Sequence, residues 1–244
     1  MQPLASRDSA ASARRPSKQD PSRPRADGYA YKKDFYRNAT VAADYDFHRF
    51  GSRARRRRDA RKWRAIRAAL EETEAVRSIL DLPCGTGRFS GRLASEGHDV
   101  LACDIAMEMM RVARAKHAET DGTSVRFVQA DAEKLPLRDG SVDCVMTIRF
   151  LFHVDPTTRI RILGEMARVT RRWLILDYRH RYSWRYAKWR VSRALGLTRR
   201  PLERVSREQL ERELAAAGIT VRNIVPVARF FSDKWIVVGE ARVA

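Results

Sequence analysis

Three aspartates follow three separate short apolar runs, amid residues of types that can hold a small polar ligand. Asp81 lies in Leu80-Asp81-Leu82-Pro83-Cys84-Gly85-Thr86-Gly87-Arg88, Asp104 comes 17 residues after Gly87, and Asp131 stands in Gln129-Ala130-Asp131-Ala132-Glu133. Gly85 and Gly87 carry no Cβ, so the backbone can turn sharply there and a ligand can approach the main chain within hydrogen-bond distance. A carboxylate just past a strand, as Asp104 would be, can accept from both hydroxyls of a ribose. A dinucleotide site uses the same acid, so the loop must decide between ligands. A nicotinamide site wants a third small residue three positions after Gly87, which Ser90 supplies poorly. Asp81 inside the loop is unfavourable beside a pyrophosphate but suits a ligand bearing an ammonium group.

These residues need a scaffold that brings strand ends together. Short β-type runs at 78–82, 100–103, 125–129, 142–148 and 174–178 alternate with helical candidates at 88–95, 107–117 and 157–169. Strand then helix, repeated, predicts an α/β fold of the Rossmann-like, doubly wound kind, with a mostly parallel sheet and helices on both faces. Such sheets place ligands at the carboxyl edge of their strands, which is where the glycine loop falls. Asp155 reads as an N-cap with Pro156 at the first helical position. Ser206 and Gln209 form a capping box for a last helix that stops at Gly218. Two final runs, 220–225 and 235–239, have the spacing of an antiparallel pair, so the last strand is expected to be antiparallel.

S-adenosylmethionine combines a ribose, an ammonium and a sulfonium with no phosphate, which is the combination the loop favours. With the third element, Asp131-Ala132-Glu133-Lys134-Leu135-Pro136-Leu137, the chain resembles the class I S-adenosylmethionine-dependent methyltransferases over roughly residues 45–178. The cadence Asp131-Ala132, Leu135-Pro136 and Asp139-Gly140-Ser141-Val142-Asp143 is most similar to the branch typified by ubiquinone and menaquinone biosynthesis C-methyltransferases. The resemblance implies that Asp81 holds the methionine ammonium, that Gly85 and Gly87 pass under the ligand, and that Asp104 takes the ribose hydroxyls. It further implies Ile105 against the adenine, Asp131 on the adenine amino group with help from the main chain of Ala132, and Thr147 and Arg149 near the transferring methyl. One position departs: Pro83 stands where the family's loop usually has glycine, which stiffens the loop and removes one donor.

A methyltransferase acting by in-line displacement needs a base only if its acceptor is a hydroxyl or an acidic C–H. His153, in Phe150-Leu151-Phe152-His153-Val154-Asp155, is the candidate base, with Tyr178 and Tyr45 as positioning groups. Cys84, Cys103 and Cys144 form no C-x-x-C pair and stand apart from histidine clusters, so no metal site or disulfide framework is expected, and a reducing, cytoplasmic setting fits.

The flanks carry the charge. The net +19 divides into +9 over residues 1–75, +2 over 76–180 and +8 over 181–244, and Arg outnumbers Lys 41 to 8. Residues 1–28, rich in Ser, Ala, Pro and basic side chains without apolar periodicity, are expected to be a disordered tail; a transit peptide is the alternative, opposed by Asp8, Asp20 and Asp27. One methyltransferase domain should then fill 29–244: an aromatic lid and basic helix (29–75), a cofactor-binding core (76–178), a basic aromatic insert (179–205) and a terminal helix with a strand pair (206–244). No apolar run approaches the roughly 20 residues of a bilayer span. The interleaved arginines and aromatics of the insert suit an anionic membrane surface, with nucleic acid ranked below it, or a plain lid; the sequence leaves a protein partner unknown. The leading reading is therefore methyl transfer to a small amphipathic acceptor such as a quinone precursor, lipid or aromatic metabolite. The alternatives are an RNA methyltransferase and a non-catalytic, cofactor-binding partner protein.

Overall fold

The computed structural model describes residues 37, 39–50, 52–118, 125–198, 202 and 204–242; the tail expected over 1–28 and the start of the lid segment lie outside them. In chain order the elements are α1 (Ala39–Phe50), α2 (Arg53–Glu71), β1 (Ser78–Asp81), α3 (Arg88–Ser95), β2 (Asp99–Asp104), α4 (Met107–Ala118), β3 (Val125–Gln129), β4 (Val142–Thr147), a 3₁₀ turn (Leu151–His153), α5 (Pro156–Val169), β5 (Thr170–Arg179), α6 (Trp184–Ala194), α7 (Arg207–Ala216), β6 (Ile219–Pro226) and β7 (Lys234–Ala241). Among these residues no helix is long and apolar enough to cross a membrane.

The seven strands form one sheet in the order β3-β2-β1-β4-β5-β7-β6. β1 to β5 run parallel, whereas β7 is antiparallel to both β5 and β6. The chain winds outward from β1 through β2 to β3 and then returns to place β4 on the other side of β1. The carboxyl ends of β1 and β4 therefore flank the topological switch point, the crevice where such sheets bind ligands.

Local chemistry fixes the helix starts. Asp155 accepts the Thr158 N–H at 3.0 Å, and Pro156 opens α5. Ser206 and Gln209 make both bonds of a capping box at α7. Period-two alternation then sorts the strands between two cores. Leu80, Val145, Leu174, Leu176 and Tyr178 face α5 and α7. Ile79, Cys144, Met146, Trp173 and Ile175 face α2 and α3.

Asp177 belongs by the same alternation to the α2 face, where an unpaired carboxylate would be strongly unfavourable. Lys62, on the stripe of α2 that also buries Ala65, Ile66, Ala69 and Leu70, reaches it in a buried ion pair. Burial holds the Lys62 ammonium below its usual range, with Asp177 working against that and Arg149 and Arg179 adding to it. Removing either partner should destabilise, but unequally. Asp177→Asn leaves Lys62 buried among cations and is expected to cost about 3–5 kcal/mol in urea denaturation. Lys62→Met should cost clearly less, because Asp177 still attracts Arg179 and Lys234. An equal or reversed order would contradict this account.

Candidate active site

The loop after β1 is laced to both neighbouring strands. Leu82 N–H donates to Met146 O at 2.9 Å, and Cys84 N–H donates to Cys103 O at 2.8 Å. Pro83 lies between these two donors, so the missing N–H falls at a position the lacing does not use.

The two glycines serve different ends. Both have positive φ, +55° at Gly85 and +70° at Gly87. A Cβ on Gly85 would meet nothing within 4 Å, whereas one on Gly87 would meet Ala113 Cβ at 2.9 Å and His117 Nε2 at 2.8 Å. Gly85 leaves space at the cavity floor. The Cβ direction of Gly87 is filled by α4, so packing requires glycine there.

Asp104 ties the loop to β2. Its Oδ2 accepts the Gly85 N–H at 2.8 Å and its Oδ1 accepts the Ala106 N–H at 2.9 Å. Each oxygen retains a further lone-pair site. Burial raises its pKa above the ordinary carboxylate value, and the backbone donors work against that. Asp81 is also buried and accepts from Ser90 Oγ at 2.6 Å. Burial pushes its pKa up to about 7, opposed by Ser90 and reinforced by the charge of Asp104.

A cavity opens over this floor. Gly85, Asp104, Ile105, Ala132, Tyr45, Arg149, Phe150 and His153 are among the residues that line it. α1 covers it. Asp46 accepts from Thr86 Oγ1 at 2.8 Å and pairs with Lys116, whose Nζ also donates to Thr86 O at 3.2 Å. Ala42 and Tyr45 pack on Ala106 and Met109. The described part of the aromatic segment expected to be a lid, Ala39–Phe50, is thus a helix tied to the glycine loop.

Other expected site residues stand off the cavity wall. Asp81 lies beneath it. Thr147 is buried at the end of β4 with its Oγ1 unpartnered. Asp131 turns its Oδ1 to the Glu133 N–H at 3.1 Å, while its neighbours Ala130 and Ala132 face the cavity. Tyr178 is buried in the core beside α7, where its hydroxyl donates to Glu213 Oε1 at 2.5 Å, and it stands outside the cavity lining expected of a positioning group.

Sequence reasoning missed Arg88, the first residue of α3, which lines the cavity while pairing with Asp59 of α2. Burial lowers its pKa to about 9, with repulsion from Arg149 and Arg92 contributing. Its place directly after Gly87, at a helix start on the carboxyl edge, was the available signal.

A parallel core with an antiparallel end, and a carboxylate at the end of β2 bonded to a glycine loop, make up a Rossmann-like fold of the kind methyltransferases use. Residues 79–172 match the family described as methyltransferase domain. A demethylmenaquinone methyltransferase of Beutenbergia cavernae is 44% identical over 114 residues, covering 46% of this chain and 43% of that protein. An uncharacterized 37.1 kDa protein in transposon TN4556 of Streptomyces fradiae is 33% identical over 195 residues, 71% of this chain and 52% of its own length. Magnesium protoporphyrin IX methyltransferase from Synechocystis PCC 6803 with bound SAH shares the fold, with a TM-score of 0.66 at 17% identity over 87% of this chain and 99% of that one. The chain spans about half, or less, of the length of the curated relatives it matches. Over residues 79–172 the chain is similar to methyltransferase domains, and among its relatives are demethylmenaquinone methyltransferases at 34–44% identity.

The glycine contrast is testable. Alanine at either position adopts a left-handed backbone at a cost of about 1–2 kcal/mol. Gly87→Ala must also push into α4, so its unfolding midpoint should fall further than that of Gly85→Ala. Gly85→Ala should instead weaken binding of S-adenosylhomocysteine in calorimetric titration. Equal loss of stability at the two positions would remove the distinction.

Proposed function

We propose that the protein is an S-adenosylmethionine-dependent methyltransferase that modifies a small amphipathic acceptor at an anionic membrane surface. Asp104 is the observation that carries the cofactor reading: a buried carboxylate with both oxygens fixed by backbone donors, facing a cavity over a glycine whose Cβ direction is open. The residues present fit the cofactor. Asp104 would take ribose hydroxyls, Ile105 and Ala132 would flank the adenine, and the Asp81 carboxylate beneath would attract an ammonium. Bound S-adenosylmethionine supplies an electrophilic methyl on its sulfonium.

The protein's own part is chiefly positioning, which can contribute about 7–11 kcal/mol of a barrier when reacting atoms are held in line. Tyr45 from α1 and Phe150 narrow the cavity and exclude water. His153, on the cavity wall with its ring 4.3 Å from that of Phe152, would take a proton from an acceptor hydroxyl or acidic C–H. The quinone-methylating relatives support a small-molecule acceptor.

The membrane reading rests on α6, a helix with no buried residue. Tyr186 and Trp189 stack on each other, partly buried, with ring centroids 5.4 Å apart. Trp184, Val191 and Leu195 form an outward apolar stripe, and Trp184 is 73% exposed. The Trp184 N–H donates to Phe230 O at 3.0 Å, which brings exposed Phe230 and Phe231 beside the helix start. No acidic residue occurs between Asp177 and Glu203; by helical spacing Lys188 falls within the stripe and Arg185 and Arg190 border it, while Arg193 lies over the Trp189 ring on the other side. An apolar face bordered by cations is the signature of an interfacial helix.

Calorimetry with S-adenosylhomocysteine tests the cofactor site. Asp104→Ala should lower affinity about tenfold or more, the worth of one or two charge-assisted hydrogen bonds; unchanged affinity would refute the ribose assignment. A ligand ammonium favours ionised Asp81, so binding releases its proton. Affinity should therefore climb by about tenfold per unit as pH rises toward 7 and level off above it. Asp81→Asn should flatten that slope.

Co-sedimentation tests the surface. Vesicles of phosphatidylglycerol and phosphatidylcholine should retain the protein, and Trp184→Ser with Phe231→Ser should release it. Retention by RNA but not by vesicles would favour the RNA reading instead.

A further inference from the structure

The end of the cavity away from Asp104 faces more positive charge than the fold needs. Arg149 lines the cavity, and its charge is felt by Lys62, Arg88, Arg179 and Lys234. Some of these cations are neutralised: Lys62 by Asp177, Arg88 by Asp59, and nearby Arg204 by Asp233. Arg149, Arg179 and Lys234 make no side-chain hydrogen bond or ion pair among the described residues, and the Arg179 Nε is buried without a partner. Burial, then repulsion from Lys62, lowers the Lys234 pKa to about 8.

Topology holds the three together. Arg179 and Lys234 are register partners on β5 and β7, two residues from Asp177 on the α2 face. Arg149 follows β4 with φ +67°, a strained backbone for a side chain of its size. The Arg179 guanidinium lies over Phe152 at 3.6 Å, and Phe152 packs on His153 at the cavity wall. Like charges gathered in half-buried positions, one of them on strained backbone, oppose folding. A bound oxyanion would offset that opposition through charge-assisted hydrogen bonds.

We propose that Arg149, Arg179 and Lys234 form an anion-binding subsite beside the transfer position, so that the methyl acceptor carries a carboxylate or phosphate group. The word acceptor rests on the methyltransferase reading; the anion subsite itself does not.

The test uses the full chain saturated with S-adenosylhomocysteine and titrated at constant ionic strength. The probes are benzoate against benzamide, phenyl phosphate against phenol, and dihexanoyl phosphatidate. An anionic probe should bind about tenfold tighter than its neutral partner, and Lys234→Met should remove most of that gain. Lys234→Met should also raise the unfolding midpoint, because a repelling cation is gone; a merely structural lysine would lower it. Loss of the soluble anions on substitution assigns a soluble acceptor, and loss of phosphatidate alone assigns a lipid headgroup. Equal binding of benzoate and benzamide, with no effect of the substitution on phosphatidate, overturns the proposal. A matching fall in S-adenosylhomocysteine affinity in Lys234→Met also overturns it, because the cluster would then serve the cofactor's own carboxylate. If the unsubstituted protein fails to bind S-adenosylhomocysteine, the methyltransferase reading fails, while anion titration of the protein alone still reads the subsite.

Discussion

A buried carboxylate at the end of β2 organises the carboxyl edge of this sheet. Asp104 is shielded from water, so its charge must be met by donors that do not move, and the donors are the main-chain N–H groups of Gly85 and Ala106. One comes from the loop after β1 and the other from the approach to α4. The same group therefore joins two strand ends and fixes the glycine loop over the cavity. A side-chain donor would relax when a ligand arrived; a backbone donor held between a strand and a helix has less freedom to do so. The α1 roof extends this logic, because Asp46 fastens to Thr86 in the loop that Asp104 braces.

Where the sequence was legible, it was legible for physical reasons. The apolar periodicities and the caps at Asp155 and Ser206 are local signals, and the elements they mark fall where the spacing placed them, with the antiparallel end of the sheet as expected. β5 runs from Thr170 to Arg179, beyond the apolar centre at 174–178, because its entry carries Arg171 and Arg172 paired to Asp143 and Glu240 instead of buried. The site was only partly legible. A strand end can be recognised in a sequence, but which way a side chain leaves it depends on a register that tertiary pairing sets. Tyr178 and Asp177 are adjacent in the chain and stand on opposite faces, so a reading by proximity chose the tyrosine and passed over the acid. The acid did carry a signal: Asp inside Leu174-Ile175-Leu176-Asp177 requires a buried partner, and Lys62 lies on the same helical stripe as Ile66 and Leu70.

The two halves of the cavity differ in how their charge is satisfied. Around Asp104 and Asp81, the acids are met by backbone donors and a serine hydroxyl, so the pocket holds negative charge in rigid hydrogen bonds. Across the cavity, Lys62, Arg88 and Arg204 are paired with Asp177, Asp59 and Asp233, while Arg149, Arg179 and Lys234 repel these cations and one another. Negative potential at one end and positive potential at the other would orient a polar molecule placed between them, and would do so before any contact forms.

That polarity bears on the flanks as well. Charge in the outer segments is not spread evenly over surfaces. In α2 it partitions along the helix, with Lys62 drawn into the sheet while Arg55, Arg56, Arg57 and Arg58, at the start of the helix, stay in solvent. In α6 Trp184, Val191 and Leu195 share the outward stripe with Lys188, whereas a helix resting on its own domain usually turns its apolar residues inward. A helix that shows solvent its tryptophan while turning Tyr186 and Trp189 inward gains nothing from that stripe in the isolated chain. The stripe becomes favourable only when something apolar covers it. The surrounding cations and the lack of acids from 178 to 202 make a negatively charged lipid surface a better match in charge than an apolar patch on a second basic chain.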